Sequence, residues 1–307
     1  MNIRSSSSAA AASTFVHCNL CGADDAETLF EPGVAQLNRV VKCRSCSLMY
    51  SNPRIRPVDQ DLIQEYDPGL TKKADEYDPS RFEKERMQVR DYADTRKFLA
   101  SLYPQRGRLL ELGCGMGFLL KAFSEDGWDV IGIEPDRGFC EFIEKRHGLK
   151  AIPSILEDSG IPDGSLDVVV FIHVIEHVPD PLATLRSIYR VLKPGGHLVI
   201  ETPRYDSLMF KLLRHRERSV SCDGHIYFFT TETLRMLYEK AGFEHRQVRY
   251  VGRSLNLDKL AYNLGLMTKS DAIIKGLIKL SHALRFHRVR MKLNARDMQR
   301  VVVQKPA

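Results

Sequence analysis

Short apolar runs alternate with amphipathic stretches between residues 107 and 251. The run Leu166–Ile172 is almost wholly apolar, which is typical of a parallel strand buried on both faces. The amphipathic stretches repeat apolar residues at helical spacing, and glycines close several of them. The pattern predicts strands at 109–112, 129–134, 166–172 and 197–201, and helices at 118–126, 138–147 and 182–191. This alternation predicts an α/β fold with a doubly wound, parallel sheet.

The flanking segments carry less regular patterns. A polar, helix-prone region precedes the alternating part, and residues 252–297 have the character of an insertion before the end of the chain. Helices are predicted at 91–99, 231–241 and 271–286, and a last strand at 298–304. The helix at 271–286 is amphipathic and basic, and its apolar face is expected to pack on the domain.

A glycine-rich turn follows the first predicted strand and opens a helix. It reads Glu-Leu-Gly-Cys-Gly-Met-Gly over residues 111–117. Glycines there let a ligand approach the backbone closely, where side chains would collide with it. Glu111 ends the strand and can accept hydrogen bonds from an amine. Glu134 comes 17 residues after Gly117, at the end of the second strand, where an acidic residue accepts both hydroxyls of a ribose.

A nicotinamide-type dinucleotide site is the alternative interpretation of this turn. That motif is G-x-G-x-x-G, and it places a helix N-terminus against a pyrophosphate. Here the third glycine comes one residue early, and Glu111 precedes the first glycine. A carboxylate at that point repels a pyrophosphate but suits an ammonium group, so the turn favours a ligand with an amino group.

Two further segments complete a family resemblance. Residues 173–181 read His-Val-Ile-Glu-His-Val-Pro-Asp-Pro, and residues 190–198 read Arg-Val-Leu-Lys-Pro-Gly-Gly-His-Leu. With the glycine turn and Glu134, they follow the order found in class I S-adenosylmethionine-dependent methyltransferases of the small-molecule and sugar type. The chain resembles that family over about residues 105–251. The resemblance implies a Rossmann-like, seven-stranded, mostly parallel sheet and methyl transfer from S-adenosylmethionine (SAM).

The resemblance also implies roles for single residues. Glu111 would bind the methionine amino group, and Glu134 would hold the ribose. The family often places an Asp after the third strand to contact adenine, but residues 154–157 read Ser-Ile-Leu-Glu, so Leu156 is expected to pack on the base. The predicted cofactor-binding residues are Glu111, Gly113, Cys114, Gly115, Gly117, Glu134, Pro135, Leu156 and His173.

Histidines beyond the carboxyl ends of the strands are the candidate catalytic residues. In an in-line methyl transfer the enzyme aligns the acceptor and, where needed, removes a proton. Histidine suits that role because its ordinary pKa is near neutrality. His225 is the predicted base, with helix capping or packing against Tyr227 as its alternative role. His173 is the second candidate, with lining of the pocket as its alternative, while Glu176 and His177 are expected to hold their loop by hydrogen bonds.

Four of the seven cysteines form two C-x-x-C pairs with 21 residues between them. Zinc takes four thiolates in a tetrahedron, and each C-x-x-C turn supplies two, so Cys18, Cys21, Cys43 and Cys46 predict a closed, structural zinc site. Free cysteines or a redox pair are the alternative. Residues 43–54 are similar to the zinc-binding domain found ahead of some methyltransferases of sugar, polysaccharide and natural-product pathways.

These patterns divide the chain into four parts. The predicted organisation is a disordered lead at 1–14, a zinc-ribbon-like knuckle at 15–56, a helical linker or cap at 57–104, and the methyltransferase domain at 105–307, with 252–297 as a helical insertion. A small knuckle cannot bury much apolar area, so a metal supplies the stability that its core lacks.

The net charge of +6 is concentrated towards the C-terminal end and in a cluster at 204–218. That cluster would suit a phosphate-bearing acceptor, and a solvated helix face is its alternative. The second function considered is an RNA methyltransferase that grips phosphates with the knuckle and the basic tail. Only three basic residues lie between Cys18 and Cys46, without an aromatic stacking run, so a small-molecule, sugar or glycan acceptor is favoured and a nucleic-acid partner is not expected.

Localisation follows from what the sequence lacks. No stretch approaches 18 consecutive apolar residues, so no transmembrane helix is expected. The Ser/Ala-rich first fourteen residues lack the apolar block of a signal peptide, which favours the cytoplasm. The basic helix at 271–286 could still cap the acceptor pocket, contact a membrane surface or mediate dimerisation.

Overall fold

The computed structural model describes residues 14–34, 38–54, 89–217, 219–220, 224–256, 276, 279 and 290–307. The strands in these ranges are β1 (Ala26–Phe30), β2 (Val40–Cys43), β3 (Met49–Ser51), β4 (Arg108–Leu112), β5 (Asp129–Ile133), β6 (Ala151–Ile152), β7 (Leu166–Ile172), β8 (Leu192–Pro203), β9 (Tyr227–Phe228), β10 (Glu244–Asn256) and β11 (Arg290–Gln304). The α-helices are α1 (Ala93–Leu102), α2 (Phe118–Glu125), α3 (Arg137–His147), α4 (Pro181–Val191), α5 (Leu208–Leu213) and α6 (Thr231–Lys240). Short 3₁₀ turns at Val89–Tyr92 and Arg214–Arg216 adjoin α1 and α5.

The larger sheet has seven strands in the order β10-β11-β8-β7-β4-β5-β6. Neighbours from β8 to β6 pair in parallel, whereas β11 runs antiparallel to both β8 and β10. The predicted α/β fold with a seven-stranded, mostly parallel sheet is therefore confirmed. The chain moves outward from β4 to β6 and then returns to β7, so the order switches between β4 and β7. Ligands of such sheets bind beyond the carboxyl ends of the strands at this switch.

Side chains of β7 alternate between two apolar layers. Val169 and Phe171 pack with the buried faces of α4 and α6, and Val168 and Val170 pack with those of α1 and α2. A central strand needs this two-sided burial, which explains why its sequence is almost wholly apolar. Helices cover both faces, as the alternating pattern predicted.

Local capping places the helices close to their predicted limits. Asp136 accepts hydrogen bonds from the backbone amides of Gly138 and Phe139 and starts α3, and Gly148, with φ +65°, ends it. The Thr230 and Thr233 side chains form a reciprocal capping box that starts α6. Each bond satisfies an amide that a free helix end leaves unpaired.

Two strands are longer than the sequence indicated, and a third, β10, was not predicted. β8 begins at Leu192 rather than at 197, because Leu192 already pairs with Leu166 of β7 before a register shift. β10 extends to Asn256 and β11 begins at Arg290, so both ends of the predicted insertion 252–297 are strand rather than helix. Antiparallel pairing of the two strands satisfies their backbone N–H and C=O groups. The predicted helix 271–286 lies outside the described residues, except Gly276 and Lys279, which are helical.

The N-terminal knuckle has its own sheet, in the order β1-β2-β3-β9. Its last strand belongs to the methyltransferase part of the chain: Met49 pairs with Phe228, and Tyr50 pairs with Tyr227. Thr14 and Arg54 exchange two backbone hydrogen bonds that close the knuckle, so Thr14 belongs to it rather than to the predicted lead. The rest of that lead and most of the predicted linker, residues 55–88, lie outside the described residues. Among the helices in the described ranges, none is long and apolar enough to cross a membrane.

Candidate active site and metal centre

The glycine-rich turn lies at the carboxyl end of β4, at the switch of strand order. Gly113, Gly115 and Gly117 all have positive φ, of +73°, +52° and +72°. The backbone amides of Gly113 and Cys114 both donate to the carbonyl of Ile133, which ties the turn to the end of β5. Such left-handed backbone is costly for residues with a Cβ, so the three glycines are required by the shape of the turn.

Close packing adds a second reason for two of these glycines. A Cβ at Gly113 would lie 2.4 Å from Cγ2 of Val174, and a Cβ at Gly117 would lie 2.7 Å from Cγ1 of Ile143. The turn is therefore held between α3 and the segment that follows β7. This contact brings residues 173–177 directly against the cofactor turn.

Glu134 joins the two predicted cofactor motifs. One carboxylate oxygen accepts from the backbone amide of Gly115 at 2.9 Å, and the other accepts from that of Asp136 at 3.2 Å. Glu111 is buried at the end of the neighbouring strand. Two carboxylates thus stand at the carboxyl ends of β4 and β5, an arrangement that suits an ammonium group and ribose hydroxyls but not a pyrophosphate.

The remaining predicted cofactor residues surround this turn. Cys114 is buried, and its burial raises the pKa of its thiol well above the ordinary value. Leu156 is buried in the core beyond β6, in the same cluster as Ile133, while Pro135 is half-buried. Burial, with nearby carboxylates, also raises the pKa of Cys140 to about 12. Both thiols are therefore inert, as expected of isolated cysteines, and Cys222 lies outside the described residues.

His173 stands between two buried carboxylates. Its Nδ1 lies 3.5 Å from Glu176, and its Nε2 lies 3.4 Å from Glu201. Burial alone would lower the pKa of His173, but the two carboxylates outweigh it and raise that pKa. His173 also has φ +55°, so the backbone turns sharply where it leaves β7. The two carboxylates therefore favour the protonated form of a histidine next to the cofactor turn.

His225 is buried in the loop before β9. Its Nδ1 lies 2.8 Å from the carbonyl of Ser219 and 3.3 Å from the hydroxyl of Tyr205. Its Nε2 faces Glu176 at 4.0 Å. Burial lowers the pKa of His225 to about 4, so the ring is neutral at neutral pH. The structure thus brings both predicted catalytic histidines to the same carboxylate, while the role of either as a base stays a prediction.

Sequence reasoning missed a buried ion pair behind these histidines. Arg300 on β11 donates to Glu201 on β8 at 2.5 Å and to the Thr95 hydroxyl at 2.7 Å. The Arg300 guanidinium also lies 4.7 Å from the ring centre of Tyr92. The available signal was a charged residue next to an apolar run in each strand, Glu201 after residues 198–200 and Arg300 before residues 301–303. A buried charge is stable only when it is paired and hydrogen-bonded, so this pair fixes the orientation of Glu201 toward His173.

The two C-x-x-C pairs come together as predicted. The four sulfurs of Cys18, Cys21, Cys43 and Cys46 lie within 4.8 Å of one another. The Cys18–Cys46 and Cys21–Cys43 sulfurs are 3.4 and 3.5 Å apart. Four thiolates around one zinc ion at ~2.3 Å would stand ~3.8 Å apart, so the cluster fits a tetrahedral ion.

Each pair lies on a tight turn with a residue of positive φ just after it. Gly22 has φ +81° and its amide donates to the carbonyl of Cys18, and Ser47 has φ +65° and donates to Cys43. Such turns aim two sulfurs at one point, which explains the C-x-x-C spacing.

The knuckle supports the His225 loop directly. The amide of Ser51 donates to the carbonyl of Ile226, while the amides of Ile226 and Tyr227 donate to the carbonyl of Glu176. Arg54 donates to the Tyr227 hydroxyl at 2.7 Å in a buried contact. The loop is therefore held between the knuckle and the segment after β7.

The basic cluster 204–218 is divided between two environments. Arg204 pairs with Asp206 and lies 4.0 Å from the ring centre of Tyr250. The side chains of Lys211, Arg214 and Arg216 are exposed on and after α5, while Arg218 lies outside the described residues. The exposed members have the solvated character that was the alternative to a phosphate clamp.

The methyltransferase-domain family matches residues 83–248, which is more than half of the chain. The chain belongs to this family. The ubiquinone biosynthesis O-methyltransferase of Vibrio parahaemolyticus is 34% identical over 102 residues, 31% of this chain and 43% of that protein. The protein of the same name from Xanthomonas oryzae pv. oryzae is 33% identical over 119 residues, 36% of this chain and 47% of its own length. The methyltransferase chain thus spans less than half the length of these relatives.

Two solved structures are similar to the methyltransferase chain. The MccD protein superposes with a TM-score of 0.50 at 15% identity, covering 69% of this chain and 96% of that one. A SAM-dependent methyltransferase from Thermotoga maritima has a TM-score of 0.48 at 21% identity and covers 74% and 95% of the two chains. At 15% identity, the likeness to the MccD protein shows the fold alone.

Proposed function

We propose that this protein transfers the methyl group of SAM to a small-molecule acceptor, with an oxygen atom as the receiving group. The observation that carries the proposal is the turn at Gly113–Gly117, joined by Glu134 to the end of β5. Family membership and the names of the relatives support the same chemistry. Sugar and glycan acceptors remain within the proposal.

The donor would be held by residues at the ends of β4 and β5. Glu111 would bind its ammonium group, Glu134 its ribose, and Leu156 its base. Bound SAM supplies a sulfonium methyl group for in-line displacement by the acceptor oxygen. The protein aligns the two reactants and excludes water from the crevice, and such positioning alone lowers a two-reactant barrier by several kcal/mol.

The acceptor would lie beside the segment 173–177, which packs against the turn through Val174 and Gly113. His173 begins that segment, and His225 faces Glu176 of the same segment at 4.0 Å. A neutral His225 with a pKa of about 4 is a weak base, so we assign it to positioning rather than to strong proton abstraction.

We also propose a structural zinc ion at Cys18, Cys21, Cys43 and Cys46. All four positions are supplied by thiolates, so the ion would have no open position for a substrate. Its role is to hold the knuckle, which in turn supports β9 and the loop of His225. The knuckle is proposed as a buttress for the acceptor side rather than as a grip for RNA.

Calorimetric titration with SAM tests the donor site. The Glu134→Gln variant keeps the shape of the side chain but places an NH₂ group against one of the two amides that Glu134 accepts. We expect its affinity for SAM to fall at least ~10-fold, which corresponds to ~1.4 kcal/mol. Asp129→Asn, at the exposed opposite end of β5, is the matched control and should bind as the wild type does. Unchanged binding by Glu134→Gln, or no binding by the wild type, would contradict the proposal.

Labelled SAM incubated with a cell extract, with and without ribonuclease, tests the acceptor class. We expect the label in a ribonuclease-resistant small-molecule fraction. Label in a ribonuclease-sensitive polymer would overturn the acceptor assignment and favour the RNA alternative.

A further inference from the structure

A second group of potential metal ligands lies beside the cofactor turn. Glu176, His177 and His225 each offer one ligand atom, and these atoms lie within 4.8 Å of one another. Glu176 and His177 follow β7, whereas His225 precedes β9. The cluster is therefore made by the fold, because 48 residues separate His177 from His225.

The hydrogen bonds of both histidines determine which nitrogen is available. Nδ1 of His225 lies 2.8 Å from the carbonyl of Ser219, and Nδ1 of His177 lies 2.9 Å from the carbonyl of Gly224. A carbonyl only accepts, so the neutral tautomer that fits these contacts has its proton on Nδ1 and a lone pair on Nε2 in both rings. A backbone carbonyl that fixes the tautomer from behind is the usual setting of a metal-binding histidine.

Glu176 supplies a carboxylate oxygen without a hydrogen bond. Its side chain is 1% exposed, and its Oε2 accepts from the Thr202 hydroxyl at 2.9 Å. Among the residues that the structure describes, Oε1 has no hydrogen-bond partner. It lies 3.5 Å from Nδ1 of His173 and 4.0 Å from Nε2 of His225, which carries a lone pair. Glu176 and His225 are thus two buried acceptors that face one another, an arrangement that a cation bound between them would stabilise.

The position of the cluster is suited to chemistry on the acceptor. Val174 packs on Gly113, so the same short segment contacts the cofactor turn and carries Glu176 and His177. The opposite wall is the His225 loop, which β3 of the knuckle holds in place. The cluster therefore lies between the segment after β7, which contacts the cofactor turn, and the His225 loop.

We propose that Glu176, His177 and His225 bind a divalent transition-metal ion whose open positions take the acceptor oxygen. Two imidazoles and one carboxylate suit zinc, iron or manganese better than magnesium or calcium, which prefer oxygen ligands. Metal–ligand bonds of ~2.0–2.2 Å would draw the three atoms inward by less than ~1 Å each. Three protein ligands leave room for two neighbouring oxygens of a hydroxylated acceptor.

The inference rests on the proposed function and gives the ion a specific role in it. A metal-bound hydroxyl loses its proton to solvent more readily, because the cation stabilises the resulting oxyanion. That oxygen then forms the bond to the methyl carbon while the carbon–sulfur bond of SAM breaks, and the neutral thioether leaves. No oxidant or reductant is needed, and the positive charge of the sulfonium is balanced by the proton released.

Counting bound metal tests the site apart from activity. The full-length protein is dialysed against Zn²⁺ or Mn²⁺, freed of excess ion, and analysed for metal per chain by mass spectrometry. We expect Glu176→Gln and His177→Gln each to hold one ion fewer than the wild type with at least one of these metals. His215→Gln, a histidine outside the cluster, is the matched control and should hold as much as the wild type. The comparison does not depend on how much zinc the four cysteines hold, because all variants retain them.

Two further measurements separate the outcomes. Titration with SAM reports whether each variant is folded and whether the donor site is intact, and we expect little change in Glu176→Gln. Equal metal contents in the wild type and both variants would overturn the metal site, as would methyl transfer at an undiminished rate after removal of every ion outside the cysteine cluster. Either result would leave the proposed methyl transfer standing, whereas absence of SAM binding by the wild type would refute that function whatever the metal count.

Discussion

The proposed donor and acceptor sides of the site are built in different ways. The donor side consists of the glycine turn and Glu134, which lie within 24 residues of one another on two adjacent parallel strands. The acceptor side combines segments from β7, β8, β9 and β11 with a strand of the N-terminal knuckle. The donor side is thus a local motif, whereas the acceptor side exists only after distant parts of the chain have packed together.

The difference corresponds to the two tasks of the site. The donor is the same molecule throughout the family, so one short turn with positive φ at three glycines suffices. The acceptor side consists of other segments of the chain, and Val174 and Gly113 form one contact between the two sides. The comparison predicts that damage to one side leaves much of the other intact.

The largest loss of stability is expected from Cys43→Ser, which removes one thiolate from the knuckle. Binding of a structural zinc ion is itself folding free energy, so we expect a loss of at least ~3 kcal/mol and a fall in melting temperature of ~10 °C. Methyl transfer should fall with it, because β9 and His225 lose their support, whereas the affinity for SAM should change little. Ser45→Ala, an exposed position of the same C-x-x-C turn, is the control. Calorimetry and zinc analysis measure these effects, and an equal loss of SAM affinity would show that the two sides are not independent.

A smaller loss of stability, together with weaker SAM binding, is expected from Gly113→Ala. Its Cβ would lie 2.4 Å from Val174, and its φ is +73°. Left-handed backbone and overpacking together should cost ~2–4 kcal/mol and weaken SAM binding more than tenfold. Gly148→Ala has a similar φ of +65° but no atom within 4 Å of the new Cβ, so it should cost only ~1 kcal/mol and leave SAM binding unchanged. Equal effects of the two substitutions would mean that contact with Val174 is unimportant.

The smallest loss of stability is expected from Tyr227→Phe, at the junction of the knuckle and the acceptor side. The Tyr227 hydroxyl accepts from buried Arg54 and donates to the carbonyl of Pro179, and its loss should cost ~1–2 kcal/mol. Tyr189→Phe is the control, because its hydroxyl makes no hydrogen bond that the described part of the chain shows. Denaturant unfolding measures both. An unchanged free energy of unfolding in Tyr227→Phe would show that β-strand pairing alone joins the knuckle to the acceptor side.

The donor side could be predicted because its signals are adjacent in the chain. The turn from 111 to 117, the acid that ends β5 and the helix stops at Gly127 and Gly148 all act within one or two elements. The four cysteines were predictable for a related reason, since each C-x-x-C turn aims two sulfurs at one ion. The contacts of Leu156 and Pro135 with the cofactor remain predictions.

The acceptor side was less accessible to sequence reasoning. His173, Glu176 and His225 were visible as candidates, but their common contact through Glu176 was not. Neither Glu201 nor Arg300 was identified, although each lies next to an apolar run of its strand. Charged residues inside strands indicate a buried pair, but nothing in their spacing shows which partner is chosen.

The amino-acid sequence by itself determined the alternation of strands and helices, the donor turn and the cysteine pairs, because each depends on backbone preferences and periodicity over short distances. Only the tertiary structure decided that β3 of the knuckle would pair with β9, that Arg300 would meet Glu201, and that Glu176 would lie between histidines from two loops. Those contacts depend on sheet order and on buried polar groups finding partners. They become defined only when the whole chain has packed.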